Sequence, residues 1–419
     1  MLDLALPRKY FLILATFFLV SLTFSIPSSF AAVSSPYVII GGQTGTWFTP
    51  SQEPLLLQMS LSKGNSVVNL TDTDPSNQSG SIWTGASNGS QWLISGFSAR
   101  GTILSPIINL YDTSMNAVPY NLTLINSKMS TWWGGDIFTS SYGGKGNWLV
   151  AGLGSGCLPS FQPGCKSNQG GSTGCGNTTC DNHMALGLFN GSNFIDLSGA
   201  TALAKEQADY ILYASAWNGH FWLVGGGYGG GEILFKYNPS TDSFTFLTSS
   251  IRAATGASGS VTSIAWNGTD WLIGGEGFLA QYNGKAFISL TSNLNAALGS
   301  GFQLSGSNAV NKIVWNKASK LWVLGGGLAI ALTGANRGWV ASYKPGGAFT
   351  SLTVIPSSLK SGSLVLTLAY SGTTLVVGGY YTSSTNKGML LLYNNATKTS
   401  RNLSDSLGSM GYVNWVGTS

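Results

Sequence analysis

The sequence predicts an all-β fold: a seven-bladed β-propeller of four-stranded blades, closed by a C-terminal strand that completes blade one. Three observations carry this reading. A unit of four short apolar runs recurs, on average about every 50 residues, a period that marks propellers and not sandwiches or short-unit solenoids. The unit occurs seven times. The first unit lacks its opening run, and a matching run stands alone at 411–419.

The unit is clearest at 212–248 and 261–291, where the runs are four to six residues long and rich in β-branched and aromatic side chains. Its second run ends in a small residue plus glycine, at Gly42, Gly96, Gly152, Gly226, Gly275, Gly326 and Gly379. A side chain there is expected to obstruct a neighbouring backbone. The third run carries Met59, Tyr111, Phe189, Tyr237, Tyr282, Tyr343 or Tyr393. The fourth ends in Leu-[ST], as at Leu70-Thr71, Leu122-Thr123, Leu247-Thr248 and Leu403-Ser404. Asn218-Gly219 and Asn267-Gly268 fall between the first and second runs and predict two-residue type I′ hairpins. Tryptophans in the first run (Trp83, Trp217, Trp266, Trp315) and second run (Trp92, Trp148, Trp222, Trp271, Trp322) recur too regularly for a ligand cage and are expected to pack between sheets. Joining 411–419 to the run Tyr37-Val38-Ile39-Ile40-Gly41-Gly42 leaves no open sheet edge.

The domain reading is a signal peptide or N-terminal anchor at 1–32, then the propeller at 33–419. Arg8 and Lys9 precede an apolar stretch, and small residues end at Ala31 and Ala32. An uncleaved anchor is the alternative, and the expected membrane contact is through that segment alone. Cys157, Cys165, Cys175 and Cys180 cluster in one insertion at about 155–182. An even count after an export signal predicts two disulfides, with three pairings open. The spacing lacks the C-x-x-C knuckles of common zinc sites. Nine N-x-[ST] sequons, at Asn69, Asn77, Asn88, Asn121, Asn177, Asn190, Asn267, Asn395 and Asn402, make a glycoprotein the expectation.

The run Leu223-Val224-Gly225-Gly226, then Tyr237 and Phe244, resembles the Kelch repeat. As a pattern the resemblance covers the mature chain. It is sharp only at 212–248, and Phe244 stands where Kelch repeats prefer Trp. It implies a propeller of the Kelch and galactose oxidase central-domain kind. The copper chemistry of that group is not expected, because His183 and His220 are the only histidines and fall at opposite ends of their units. A sialidase arginine triad and Asp-box turns are also missing. No cofactor and no metal are expected.

Charged residues are only 8% of the chain, and the formal charge of +5 is scattered, which excludes the clustered basic stripe of a nucleic-acid binder. Low charge also leaves few carboxylates to protonate, which suits an acidic exterior. In propellers the loops between strands two and three share a face with the blade-to-blade loops. Glu232, Glu276, Arg100, Arg252 and Arg337 fall in such loops, as do Glu206, Asp209 and the cysteine insertion. Long insertions on rigid scaffolds commonly bind. The expected function is a secreted or cell-surface binding module for a glycan or a surface protein, more a binder than an enzyme. One alternative is a glycan-cleaving enzyme using loop carboxylates. Another is a structural surface protein without a specific ligand.

Overall fold

Each predicted unit folds as one antiparallel sheet. The computed structural model describes residues 37–44, 53–61, 66–70, 79–100, 103–118, 135–143, 146–154, 183–200, 203, 210–228, 231–256, 258–300, 302–306, 308–328, 337–359, 362–382 and 385–418. Residues 1–32, the four cysteines, Asn77, Asn121, Asn177, Glu206, Asp209 and Leu122-Thr123 lie outside them. Six blades have four strands, and blade two has three among the described residues. Blade one pairs in the order Met410–Thr418, Tyr37–Thr44, Pro54–Ser60, Val67–Asn69. Val38 opposes Thr418 and Gly41 opposes Trp415. The C-terminal strand therefore closes the ring as its sequence pattern predicts.

The inner strands are Met410–Thr418, Ser79–Ser87, Asp136–Gly143, Ile211–Trp217, Val261–Trp266, Asn308–Asn316 and Ser363–Ser371, and each neighbours the next around the ring. Apolar residues fill the space between blades. Leu149, Leu186, Leu212, Trp222, Phe235 and Tyr237 form one such layer, and Leu272, Val310, Trp322 and Tyr343 belong to another. The second-strand tryptophans Trp148, Trp222, Trp271 and Trp322 are fully buried there.

The landmarks acquire physical causes. On the third strand, Tyr237, Tyr282 and Tyr343 pack on the fourth-strand rings of Phe244, Phe287 and Phe349, with centroids 4.9, 4.3 and 4.3 Å apart. After the fourth strand, the Ser/Thr of Leu-[ST] accepts a third-strand N–H. Leu186 donates to Ser198, Leu234 to Thr248, Leu279 to Thr291 and Leu390 to Ser404, at 3.0–3.1 Å. In blades four and five that threonine also starts a short helix, α1 (Thr248–Thr255) and α2 (Thr291–Leu298), which the sequence pattern did not predict.

The hairpins differ from expectation. Trp217 pairs with Trp222 and Trp266 with Trp271, so each loop has four residues. Only Gly219 and Gly268 take positive φ, at 101° and 106°. The asparagine serves through its side chain instead. Asn267 Oδ1 accepts the N–H groups of Thr269 and Asp270 at 2.8 and 2.7 Å, which replaces the I′ backbone geometry.

A ring of bulges and the candidate functional site

Every inner strand slips register at an equivalent step, and the inner strand of blade one slips a second time opposite Gln43/Thr44. The slips lie between Ile82/Thr84, Ile137/Thr139, Leu212/Ala214, Val261/Ser263, Val310/Lys312 and Val365/Thr367, and in blade one opposite Gly41/Gly42. The residues left out of register are Trp83, Phe138, Tyr213, Thr262, Asn311, Leu366 and Asn414. A bulge re-aims its side chain, and these seven occupy equivalent positions on the inner strands, which neighbour one another around the ring.

The bulge explains the invariant glycine. A Cβ on Gly226 would lie 1.8 Å from Ile211 O, on Gly96 1.9 Å from Ser81 O, and on Gly379 1.9 Å from Leu364 O. The obstructing backbone belongs to the same blade's inner strand, pressed inward by the bulge. The small residue before it faces the next blade instead: a Cβ on Gly274 would meet Val310 at 2.6 Å. Trp83 also changes position. Ser87, not Trp83, opposes Trp92 at the hairpin, so Trp83 is a bulge residue and not the counterpart of Trp217.

Around the ring six of the seven residues fall into two arcs, and the seventh, Leu366 of blade seven, is apolar and stands between the polar positions of blades six and one. In blades two to four they are aromatic, with Trp83 and Phe138 centroids 5.5 Å apart and Phe138 and Tyr213 5.3 Å apart. All three are half-buried. In blades five, six and one they are polar and bond to the next blade's backbone. Thr262 Oγ1 donates to Val310 O at 2.7 Å and Asn311 Nδ2 to Val365 O at 2.8 Å. Asn414 Nδ2 donates to Ser81 Oγ at 2.9 Å and Ile82 O at 3.3 Å.

One step beyond the bulge, hydroxyls stitch adjacent blades at three places. Thr84 accepts the Ser140 N–H at 3.1 Å, Ser263 that of Ile313 at 2.8 Å, and Thr367 that of Val416 at 3.2 Å. Blade six places Lys312 at this position, and burial pulls its ammonium below the usual lysine range.

At the loop end of the aromatic arc sits a polar group. Burial, and then the charges of Glu276, Tyr228 and Asp136, push the Tyr213 hydroxyl up to about 12. Asp136 opens the inner strand of blade three and is 5% exposed. Burial holds its carboxyl well above the usual range, and the Trp83 side chain offsets part of that. Glu276 Oε2 accepts the Ser260 N–H at 3.1 Å, and its backbone bridges to Ala309 of blade six.

The other candidates separate from this group. Glu232 is 1% exposed at the start of the third strand of blade four, and Arg252 of α1 donates to its Oε1 at 2.6 Å. Glu232 Oε2 has no hydrogen-bond partner among the described residues. Arg337 is exposed just before the third strand of blade six. Arg100 ends the second strand of blade two on the same face. His183 starts the third strand of blade three, and His220 lies in a strand-one to strand-two turn. Among the described residues no three His, Cys, Asp or Glu are grouped to hold a metal ion, and no helix is long and apolar enough to cross a membrane.

No protein-family model and no curated protein matches the chain. Solved structures similar to it include an acylaminoacyl peptidase from Pyrococcus horikoshii, at 9% identity over 89% of this chain and 51% of that one, with a TM-score of 0.47. Another is TolB from Acinetobacter baumannii, at 12% identity over 92% and 66%, with a TM-score of 0.44. This chain thus spans about half of the peptidase and just under two thirds of TolB.

Proposed function

We propose that this chain is an exported, Kelch-like propeller that binds a glycan at the loop end of its channel. The observation that carries the reading is the aromatic arc Trp83, Phe138, Tyr213 with Asp136 and Glu276 beside it. Aromatic faces stack on the C–H faces of sugars while carboxylates take their hydroxyls, a mix of apolar wall and few polar groups typical of ligand sites. A glycan-array screen of the 33–419 chain, followed by calorimetry on any hit, tests it. Phe138→Leu and Glu276→Ala should each weaken binding about tenfold, equivalent to ~1.4 kcal/mol. Glu276→Ala also removes the acceptor of the Ser260 N–H and should cost about 1 kcal/mol of stability, without unfolding the chain. Binding that survives both changes, or no binding across the array, rejects the site.

The buried Asp136 supports a second reading. A buried carboxyl with a raised pKa, acting on the same tyrosine as Glu276, suits the acid of glycoside hydrolysis. Under that reading an oligosaccharide is turned over, and Asp136→Asn abolishes turnover while binding persists.

A further inference from the structure

Three sequons form one repeated geometry on the face opposite the channel mouth. Asn88 and Asn267 lie in strand-one to strand-two turns and Asn190 in a strand-three to strand-four turn; these turns share one face because consecutive strands alternate in direction. Asn88 Oδ1 accepts the N–H groups of Ser90 and Gln91 at 2.9 and 2.7 Å. Asn190 Oδ1 accepts those of Ser192 and Asn193 at 3.1 and 2.7 Å, and Asn267 Oδ1 those of Thr269 and Asp270 at 2.8 and 2.7 Å. The sequon hydroxyl joins the same oxygen in each turn, from Ser90 at 3.0 Å, Ser192 at 3.1 Å and Thr269 at 3.0 Å.

Every one of these bonds is made by the amide oxygen. In none of the three does Nδ2 donate a hydrogen bond among the described residues. The next residue is glycine in each case, and the space beside it is open. A methyl group on Gly89 or Gly268 would meet no atom within 4 Å, and on Gly191 only Leu110 Cδ2 at 3.8 Å. Two other sequons contrast. Asn395 Nδ2 is committed to Tyr370 Oη at 2.9 Å, and the hydroxyl of Thr397 pairs with Thr399 at 2.7 Å instead. In the Asn402 sequon, Ser404 is buried and its Oγ also takes the Leu390 N–H.

We propose that Asn88, Asn190 and Asn267 are N-glycosylated, so that the turn face carries sugar on the side away from the channel mouth. The donor class is a glycosyl phosphate. Asn Nδ2 attacks the anomeric carbon and a C–N bond forms. The C–O bond to phosphate breaks, phosphate leaves with the electron pair, and one amide proton is lost to base. The carbonyl Oδ1 is untouched, so the three bonds that hold each turn survive the modification. The proposal is independent of the ligand reading, because its test needs no ligand.

The experiment is glycopeptide mass spectrometry of the full chain exported from a glycosylating secretory host. Sugar is expected on Asn88, Asn190 and Asn267 and not on Asn395. The His220→Ser variant sharpens the test. It completes a sequon at Asn218, whose Oδ1 already accepts the N–H groups of His220 and Phe221 at 2.9 Å each. One further glycan mass should appear at Asn218. Sugar missing from any of the three native sites, sugar on Asn395, or a folded His220→Ser variant without the added mass overturns the assignment.

Discussion

The two arcs of the channel wall occupy equivalent backbone positions and do different work. In blades five, six and one, Thr262, Asn311 and Asn414 spend their polar atoms on the backbone of the next blade. In blades two to four, Trp83, Phe138 and Tyr213 touch one another through ring faces and edges. A bulge is thus a socket of fixed geometry. Filled with an amide or hydroxyl, it ties blades together. Filled with an aromatic, it leaves surface available to a ligand. The polar arc includes the closing blade, where the ring is joined without a covalent link.

The most severe way to break the comparison is to remove the closing strand. Deleting 410–418 exposes the edge of Tyr37–Thr44 and takes Trp415 out from between Trp92 and Gly85. The truncated chain should lose its cooperative melt and aggregate in size-exclusion chromatography; an unchanged melting temperature would refute closure through blade one. Next in size, Asn414→Leu keeps the volume but strands the Ser81 and Ile82 acceptors, and should cost about 2 kcal/mol by denaturant titration. Phe138→Leu, the matching change in the aromatic arc, should cost less than about 1.5 kcal/mol. Equal losses would erase the distinction between the arcs.

Two titrating groups sharpen it further. Folding raises the pKa of Asp136, so its contribution to stability is complete below about pH 3.9 and is lost as pH rises through the folded value. Asp136→Asn should therefore match the parent near pH 3 and melt higher at pH 7. Parallel melting curves from pH 3 to 7 would show that this carboxyl is not held neutral. Lys312 has the opposite sign. Its folded pKa is lowered, so the cost is complete below the folded value and fades as pH rises from there toward the ordinary lysine value of about 10.4. Lys312→Thr restores the hydroxyl that blades two, five and seven place there. It should stabilise the fold by about 1 kcal/mol at pH 7 and by less above pH ~10. No gain at neutral pH would mean that the position needs no hydroxyl.

The repeat was legible because its landmarks face demanding surroundings. No Cβ fits beside the bulge, so Gly42, Gly96 and Gly226 recur. The strand-three N–H needs an acceptor, so Leu-[ST] recurs. The bulge residues themselves were not legible, because a socket facing an open channel accepts Trp83, Thr262 or Leu366 alike. The available signal was indirect: Thr84, Thr139, Ser263 and Thr367 follow at a fixed step, and two side chains on one face interrupt strand alternation. Asp136 is not legible because it stands at the mouth of a strand and reads as a loop residue. Glu232 and Arg252 are legible as loop residues, but only the fold shows that Arg252 donates to Glu232 Oε1.

The pairing within blade one also orders events during folding. Six blades are hairpin-connected neighbours in sequence, which can form as soon as their own residues exist. Asn414, by contrast, meets Ser81 across 333 positions of chain. Contacts of such separation are slow to form, because loop-closure entropy is lost before they reward it. A nascent chain can therefore carry mostly formed blades and still be an open string. The ring locks only after residues 410–418 have emerged, and the seam that sets the molecule's final rigidity is the last one made.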